Sequence, residues 1–286
     1  MKELYILRDT LGQLQDVVLT DVLKAERIVK SSNGRLTFEK ILWLNDGLDC
    51  IFYERELAQS QLGRPQDRTR QAREIAQILL EKEAVTINAD EPYIYVSGLR
   101  SPIYCDNRRL IFFPNERRII SHAFAERVRS FSPDVIAGTA SSAIPWATWV
   151  AALLNRPMVY IRKASKEYGQ RRLIEGGDIR GISVVVLEDL VSTGGSSLNA
   201  VNACREAGAN VLSMMAIFTY EFQEAAQKFR DARCHTEALT NFSTLVQVAA
   251  EKQMIRSEKI TMIQEWNTNP QQWGPRHGFP NVSPMS

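Results

Sequence analysis

Glu188 and Asp189 stand side by side after the apolar run Val184-Val185-Val186-Leu187, and Ser192-Thr193-Gly194-Gly195-Ser196 follows almost at once. A continuous apolar run is the pattern of a strand buried on both faces. The acid pair is therefore expected just past the carboxyl end of a central strand, where open parallel sheets bind ligands. Two glycines with flanking hydroxyls let backbone amides turn inward ahead of a helix amino terminus, a geometry that holds phosphate. Carboxylates repel phosphate, so their partners are expected to be ribose hydroxyls, with Mg2+ screening a pyrophosphate on the same ligand. Phosphoribosyl pyrophosphate (PRPP) carries all of these groups. A strand, a Gly-rich turn and a helix are common without any ligand, and it is the acid pair that gives this one chemistry. The loop has neither a GxxxxGK[ST] nor a GxGxxG pattern, so neither major nucleotide motif competes.

A second cluster, from Arg162-Lys163 through Lys166, Tyr168 and Arg171-Arg172, holds five cations in eleven residues. Charge runs usually belong to solvated surface. This one lies between two core strands, at the same carboxyl edge as the acids, which predicts a closing lid. A third segment, SGLRSPIYCDNR from Ser97 to Arg108, has turn residues at one end and polar groups at the other, and alone it would pass for a loop leading into a strand. Cys50, Cys105, Cys204 and Cys234 form no CxxC pair, and His122, His235 and His277 match no metal-binding spacing, so reduced thiols and structural histidines are expected.

These groups must be positioned by a regular scaffold. A helix is predicted from Asp67, with Ala72, Ile75, Ala76, Ile78 and Leu79 on one side, and extended segments at Tyr93 to Val96 and Ile103 to Cys105. Pro114 opens a helix reaching about Phe131. Strand and helix signals then alternate: strand Asp134 to Ala137, helix Pro145 to Leu154, strands Met158 to Ile161 and Ile182 to Leu187, helix Ser196 to Ala207, strand Val211 to Phe218. The expected class is α/β, a mostly parallel sheet flanked by helices. Further helices are predicted over Gln223 to Arg230, Phe242 to Lys252 and Ser257 to Trp266, with an irregular tail from Asn267. Before this regular part, residues 1–65 read as an N-terminal extension, with a short helix at Asp16 to Lys30 and a hairpin at Ile41 to Tyr53. The polar stretch Gln59 to Thr69 is the best linker, which puts the domain boundary between residues 65 and 66.

Lys and Arg number 35 against 33 Asp and Glu, a net charge of +2, so nothing in the charge argues for a nucleic-acid or membrane partner. The start MKELYILRDT lacks the layout of a signal peptide, and the longest apolar stretch, Ala143 to Leu154, is too short to cross a bilayer. A cytoplasmic location is expected.

Taken together, the three segments, in this order and spacing, resemble the orotate phosphoribosyltransferases, type I phosphoribosyltransferases of pyrimidine synthesis. The resemblance covers about Asp67 to Gly274. It includes SGLRSPIYCDNR, the GTASSAIP loop at Gly138 to Pro145, the RKxxKxYG lid, the IEG at Ile174 to Gly176, EDLVSTGGSS, the IFTYEF at Ile217 to Phe222, and Trp266, Pro270, Trp273 and Gly274. It implies the type I fold with a small hood, and a Mg2+-dependent transfer of the phosphoribosyl group from PRPP to orotate by a homodimer. Glu188 and Asp189 would hold the ribose hydroxyls, and Leu190, Val191, Ser192, Thr193, Gly194, Gly195 and Ser196 the 5-phosphate. Ala140 to Ala143 would touch pyrophosphate; Ser192, Tyr104 and Cys105 would contact orotate. Arg162, Lys163 and Lys166 would be lid cations reaching in part across the dimer interface, with Lys166, Arg162 and Asp189 catalytic. The chain departs from many bacterial members at Tyr168, where they have histidine; animal bifunctional members share the tyrosine and a KRL-like run, here Arg171-Arg172-Leu173. Two alternatives stay open: a different base as acceptor, or a PRPP-sensing regulator without catalysis.

Overall fold

The computed structural model describes residues 3–9, 14–20, 36–40, 65–162 and 173–284. The chain divides into two units, Met1–Pro65 and Gln66–Ser286.

In the first unit, β1 (Glu3–Asp9), β2 (Leu14–Thr20) and β3 (Leu36–Lys40) form an antiparallel sheet in the order β2-β1-β3. The predicted helix from Asp16 is wrong over its first turn, because Asp16 to Thr20 pairs with β1, Tyr5 opposite Val18. The run Val17-Val18-Leu19-Thr20 is largely β-branched, which favours a strand. The rest of that prediction and the hairpin at Ile41 to Tyr53 lie outside the described residues.

The first helix, α1 (Pro65–Glu81), has all but its first residue in the second unit and starts inside the predicted linker, Pro65 suiting a first helical position. Two small antiparallel pairs follow: β4 (Val85–Ile87) with β7 (Ile103–Cys105), and β5 (Tyr93–Ile94) with β6 (Arg100–Ser101). They make the hood. A 3-10 turn at Asn107–Phe112 leads into α2 (Pro114–Arg129).

The main sheet has six strands: β8 (Val135–Thr139), β9 (Met158–Ile161), β10 (Ile174–Glu175), β11 (Ser183–Val191), β12 (Asn210–Thr219) and β13 (Thr236–Asn241). Their order is β10-β9-β8-β11-β12-β13, and only β10 runs antiparallel. The helices are α3 (Ile144–Leu154), α4 (Gly195–Glu206), α5 (Gln223–Asp231), α6 (Phe242–Glu251), α7 (Ser257–Thr268) and α8 (Pro270–Arg276). From β8 the chain crosses through α3 outward to β9, and from β11 through α4 outward to β12 on the other side. The winding direction reverses between neighbours β8 and β11, and at such a switch point the loops diverge and leave a crevice at the strand ends.

The short strands β4, β6 and β10 were not predicted, and three larger details also differ from the sequence reading. β11 continues through the acid pair to Val191, because Glu188 pairs with Ala216 and Leu190 with Phe218 of β12. β13 was not predicted; its sequence TEALTN has no clean alternation, yet it closes the sheet edge beside β12. The tail expected to be irregular from Asn267 forms α8, capped by the Asn269 side chain accepting from the Gln272 amide at 3.2 Å, with Pro270 at the first helical position.

The core explains the apolar patterns. Val184, Val185, Val186 and Leu187 are fully buried, as are Ile136 and Ala137 of β8 and Ala216, Ile217 and Phe218 of β12. Trp266 of α7 is buried among Tyr95, Tyr220, Phe222 and Phe242, with ring centroids 5.1 to 6.4 Å away, and so clamps the hood to the sheet. Among the described residues no helix is long and apolar enough to cross a membrane.

Candidate functional site

The acid pair sits where β11 leaves the core, and strand alternation sends its two carboxylates different ways. Glu188 points inward and is 4% exposed; Asp189 is half-buried at the crevice. Thr139 at the end of β8 donates to Glu188 Oε1 at 2.5 Å, the Asp189 amide donates to the same oxygen at 3.2 Å, and Ser197 of α4 donates to Oε2 at 3.3 Å. Burial nevertheless dominates and pushes the Glu188 carboxyl up to about 7, with the hydroxyl of Thr139 pulling the other way. Ser142, in the loop after β8, donates to Asp189 Oδ1 at 2.8 Å. The loop after β8 is thus joined to the end of β11 through this carboxylate.

The turn after β11 is built for close backbone approach. Gly194 has φ +78, and a Cβ there would lie 3.1 Å from the Phe229 ring. Its left-handed conformation lets α4 begin at Gly195, so the first amides of the helix open toward the crevice. Lys228 of α5 donates from Nζ to the Thr193 carbonyl at 3.2 Å and to Glu224 Oε1 at 2.5 Å, holding that carbonyl to the outer side of the loop.

Arg162 follows β9, its amide donating to the Leu173 carbonyl at 2.8 Å and its Nη1 lying 3.5 Å from Glu175 Oε1. A cavity of about 390 Å3 gathers Thr139, Ala140, Ser142, Arg162, Glu188, Asp189, Leu190 and Ser196. Four of the sequence-predicted groups therefore meet in one space: the acids, the loop after β8, the start of α4 and the first lid cation. Lys163, Lys166 and Tyr168 lie outside the described residues.

Tyr104 and Cys105 of β7 do not line that cavity. They stand beside it, tied in by Asn107, whose Nδ2 donates to the Asp189 carbonyl at 2.7 Å. Burial pushes the Cys105 thiol well above its ordinary value, and the nearby Asp189 and Asp106 carboxylates add to this, so the side chain stays a neutral thiol and not a nucleophile. Tyr104 is 44% exposed and its ring lies 5.6 Å from that of Tyr93. The residues missed by sequence reasoning are Asn107, Thr139, Ser197 and Lys228. Thr139 and Ser197 stood inside quoted motifs, but nothing local paired them with Glu188; Lys228 lay in a helix that carried no motif.

What this arrangement can do chemically is hold a polyol against carboxylates and an anion against helix amides, with a cation opposite. Comparisons with known proteins agree with that chemistry. Residues 113–253 match the phosphoribosyl transferase domain family. Orotate phosphoribosyltransferase of Enterococcus faecalis is 45% identical over 208 residues, covering 72% of this chain and 99% of the relative; that of Coxiella burnetii is 42% identical over 207 residues, covering 72% and 99%. Among solved structures, the UMP synthase of Leishmania donovani superposes with a TM-score of 0.59 at 26% identity, covering 68% of this chain and 42% of that longer one. Orotate phosphoribosyltransferase of Aeropyrum pernix gives a TM-score of 0.55 at 22% identity, covering 62% and 98%, a likeness of fold. An identity of 45% that runs through nearly the whole length of a relative leaves no room for a chance match of one loop, and the chain belongs to the orotate phosphoribosyltransferase family.

Proposed function

We propose that residues 66–286 form a phosphoribosyltransferase unit, with residues 1–65 an extension to it, that moves the phosphoribosyl group of PRPP onto orotate and yields orotidine 5'-phosphate and pyrophosphate. The observation that carries this reading is the single cavity at the switch point where the acid pair, the loop after β8, Arg162 and Ser196 meet.

In this reading Glu188 and Asp189 hold the ribose 2- and 3-hydroxyls, and residues 190–196 bind the 5-phosphate through amides and hydroxyls at the start of α4. Residues 140–143 border the pyrophosphate. Ser192, Tyr104 and Cys105 face orotate. The bond from the ribose C1 to orotate nitrogen forms as the C1–O bond to pyrophosphate breaks, its electron pair leaving with the pyrophosphate, and the proton of the orotate N–H is released to the pyrophosphate or to solvent. The ribose gains oxocarbenium character, so the Asp189 carboxylate beside it is favourable, and negative charge gathers on the leaving group, where Arg162, Lys163 and Lys166 act. Closure of the cationic segment excludes water and suppresses hydrolysis of PRPP. The reading carries with it a cytoplasmic homodimer in which these cations reach the neighbouring subunit's pyrophosphate.

Mg2+ fits the donor set. Among the described residues no three His, Cys, Asp or Glu side chains gather to cage a metal, whereas hard carboxylate and hydroxyl oxygens of Asp189, Glu188 and Ser142 border one cavity. That suits an ion that keeps its water and is held largely by substrate phosphates. When bound, it neutralises pyrophosphate charge.

The choice of acceptor is tested by offering orotate, uracil, hypoxanthine and adenine separately with PRPP and Mg2+. Turnover with orotate alone is expected; equal turnover with a purine would overturn the assignment. A second expectation concerns the phosphate loop. Because Lys228 orients the Thr193 carbonyl, Lys228→Ala is expected to raise the KM for PRPP about three- to ten-fold with kcat little changed, as for loss of uniform binding. Steady-state kinetics at saturating orotate checks it, and Lys228→Arg is expected to restore most of the affinity.

A further inference from the structure

The tail beyond α8 is fastened to the hood at the segment that leads into β7. The Val282 amide donates to the Gly98 carbonyl at 3.0 Å, and the Arg100 amide donates to Asn281 Oδ1 at 3.2 Å. Arg100 Nε donates to the Pro280 carbonyl at 3.1 Å, and Asn281 Nδ2 donates to the Gln271 carbonyl of α8 at 3.0 Å. One edge of β6 pairs with β5, and the tail satisfies backbone groups that the short hairpin would otherwise leave to solvent. The approach is close: a Cβ on Gly98, which has φ +82, would fall 2.0 Å from the Val282 carbonyl oxygen.

From β6 the constraint passes directly to the acceptor side. Ser101 is fully buried; its Oγ donates to the Ile103 carbonyl at 2.7 Å and accepts from the Ile103 amide at 3.2 Å. Tyr95, whose ring packs on Trp266, donates to the same Ile103 carbonyl at 2.8 Å. Ile103 is the first residue of β7, and Tyr104 and Cys105 are the next two. A chain of hydrogen bonds thus runs from α8 through the tail and β6 to the strand assigned to the base.

We infer that Asn281 and Val282 are positioning residues for the acceptor: they act as a strap that sets β6 and, through Ser101, the orientation of Tyr104 and Cys105 toward orotate. This rests on the reading that orotate binds at those two residues. No tail residue lines the cavity that gathers the acid pair and Arg162, so the strap acts on orotate more than on PRPP.

The test uses the full chain carrying Asn281→Ala, and a second form carrying Asn281→Ala with Val282→Pro, which also removes the amide donated to Gly98. Relative to wild type, the KM for orotate is expected to rise about three-fold in the first and about ten-fold in the second, with the KM for PRPP within about two-fold. Amide hydrogen exchange is expected to quicken at residues 98–103 in both variants, while β8 and β11 stay protected. An unchanged KM for orotate, or equal rises in both KM values, overturns the inference while leaving the transfer reaction in place. Absence of orotate turnover by wild type overturns the functional reading, and the acceptor role of the strap with it.

Discussion

Replacing Lys166 by alanine is expected to lower kcat about 100- to 1,000-fold, the scale on which a single charge-stabilising group acts in a transition state. The dissociation constant for PRPP is expected to stay within a few-fold. In the proposed reaction Mg2+ already screens the ground-state pyrophosphate, whereas the charge that accumulates as the C1–O bond breaks is new. A cation placed against that new charge contributes to kcat and little to ground-state binding. Arg162 keeps a cation at the foot of the same segment, anchored by its backbone bond to Leu173, so binding survives the loss of Lys166. Stopped-flow or steady-state rates beside calorimetric PRPP titration separate the two quantities. If affinity falls in step with rate, Lys166 is a binding residue, not a transition-state one.

Glu188→Gln is expected to do two opposite things: slow turnover, and make the folded protein more stable at alkaline pH. The ordinary carboxyl value is 4.5 and burial raises it to about 7 in the folded chain. Between those values the folded state holds a proton that the unfolded state has released, so stability falls as pH rises through that window. Above 7 the penalty is fully present, and below 4.5 it is absent. A rise from 4.5 to about 7 sets a ceiling of about 3 kcal/mol, at about 1.4 kcal/mol for each pH unit. Glutamine avoids the penalty but fits the donors Thr139, Ser197 and the Asp189 amide less well, which leaves a net gain of about 1 to 2 kcal/mol. For a unit of this size that is a Tm about 2 to 8 °C higher at pH 8.5, with the gain gone by about pH 5 and the wild type the more stable below it. Calorimetry at the two pH values checks it, and a Tm lower than wild type at pH 8.5 would contradict the buried-charge account. Turnover is expected to fall because, in the proposed binding mode, an ionised acceptor for ribose hydroxyls is removed.

The scaffold was legible because its signals are local. Apolar β-branched runs such as Val184 to Val186, and helix faces such as Ile75, Ile78 and Leu79, declare their period within a few residues. What stayed hidden depended on distant partners. Glu188 and Asp189 break the apolar run, which predicts a strand ending at Leu187; β11 continues because β12 supplies the ladder and Thr139, 49 residues away, supplies a hydroxyl for the buried carboxylate. β13 offered no alternation and is a strand because β12 leaves an open edge there. In the tail, Asn269-Pro270 was a helix-start signal that composition obscured.

The candidate site divides in the same way. The acids, Ser196 at the end of the Gly-rich turn and Arg162 were readable from residue type, and they meet in one cavity, whereas Ser192, Thr193, Gly194 and Gly195 do not line it. Their supports were not readable. Asn107 reaches the Asp189 carbonyl across 82 residues, and Lys228 reaches the Thr193 carbonyl across 35. No spacing rule links such pairs, since it is the crossover through α4 and β12 that places α5 beside the loop.

The most direct test of the central claim is release of pyrophosphate by the purified 286-residue chain with PRPP and Mg2+, measured with and without orotate. The account predicts release that depends on orotate and saturates with it, with orotidine 5'-phosphate formed in equal amount. Release that is indifferent to orotate, or none at all while PRPP binds, would contradict it.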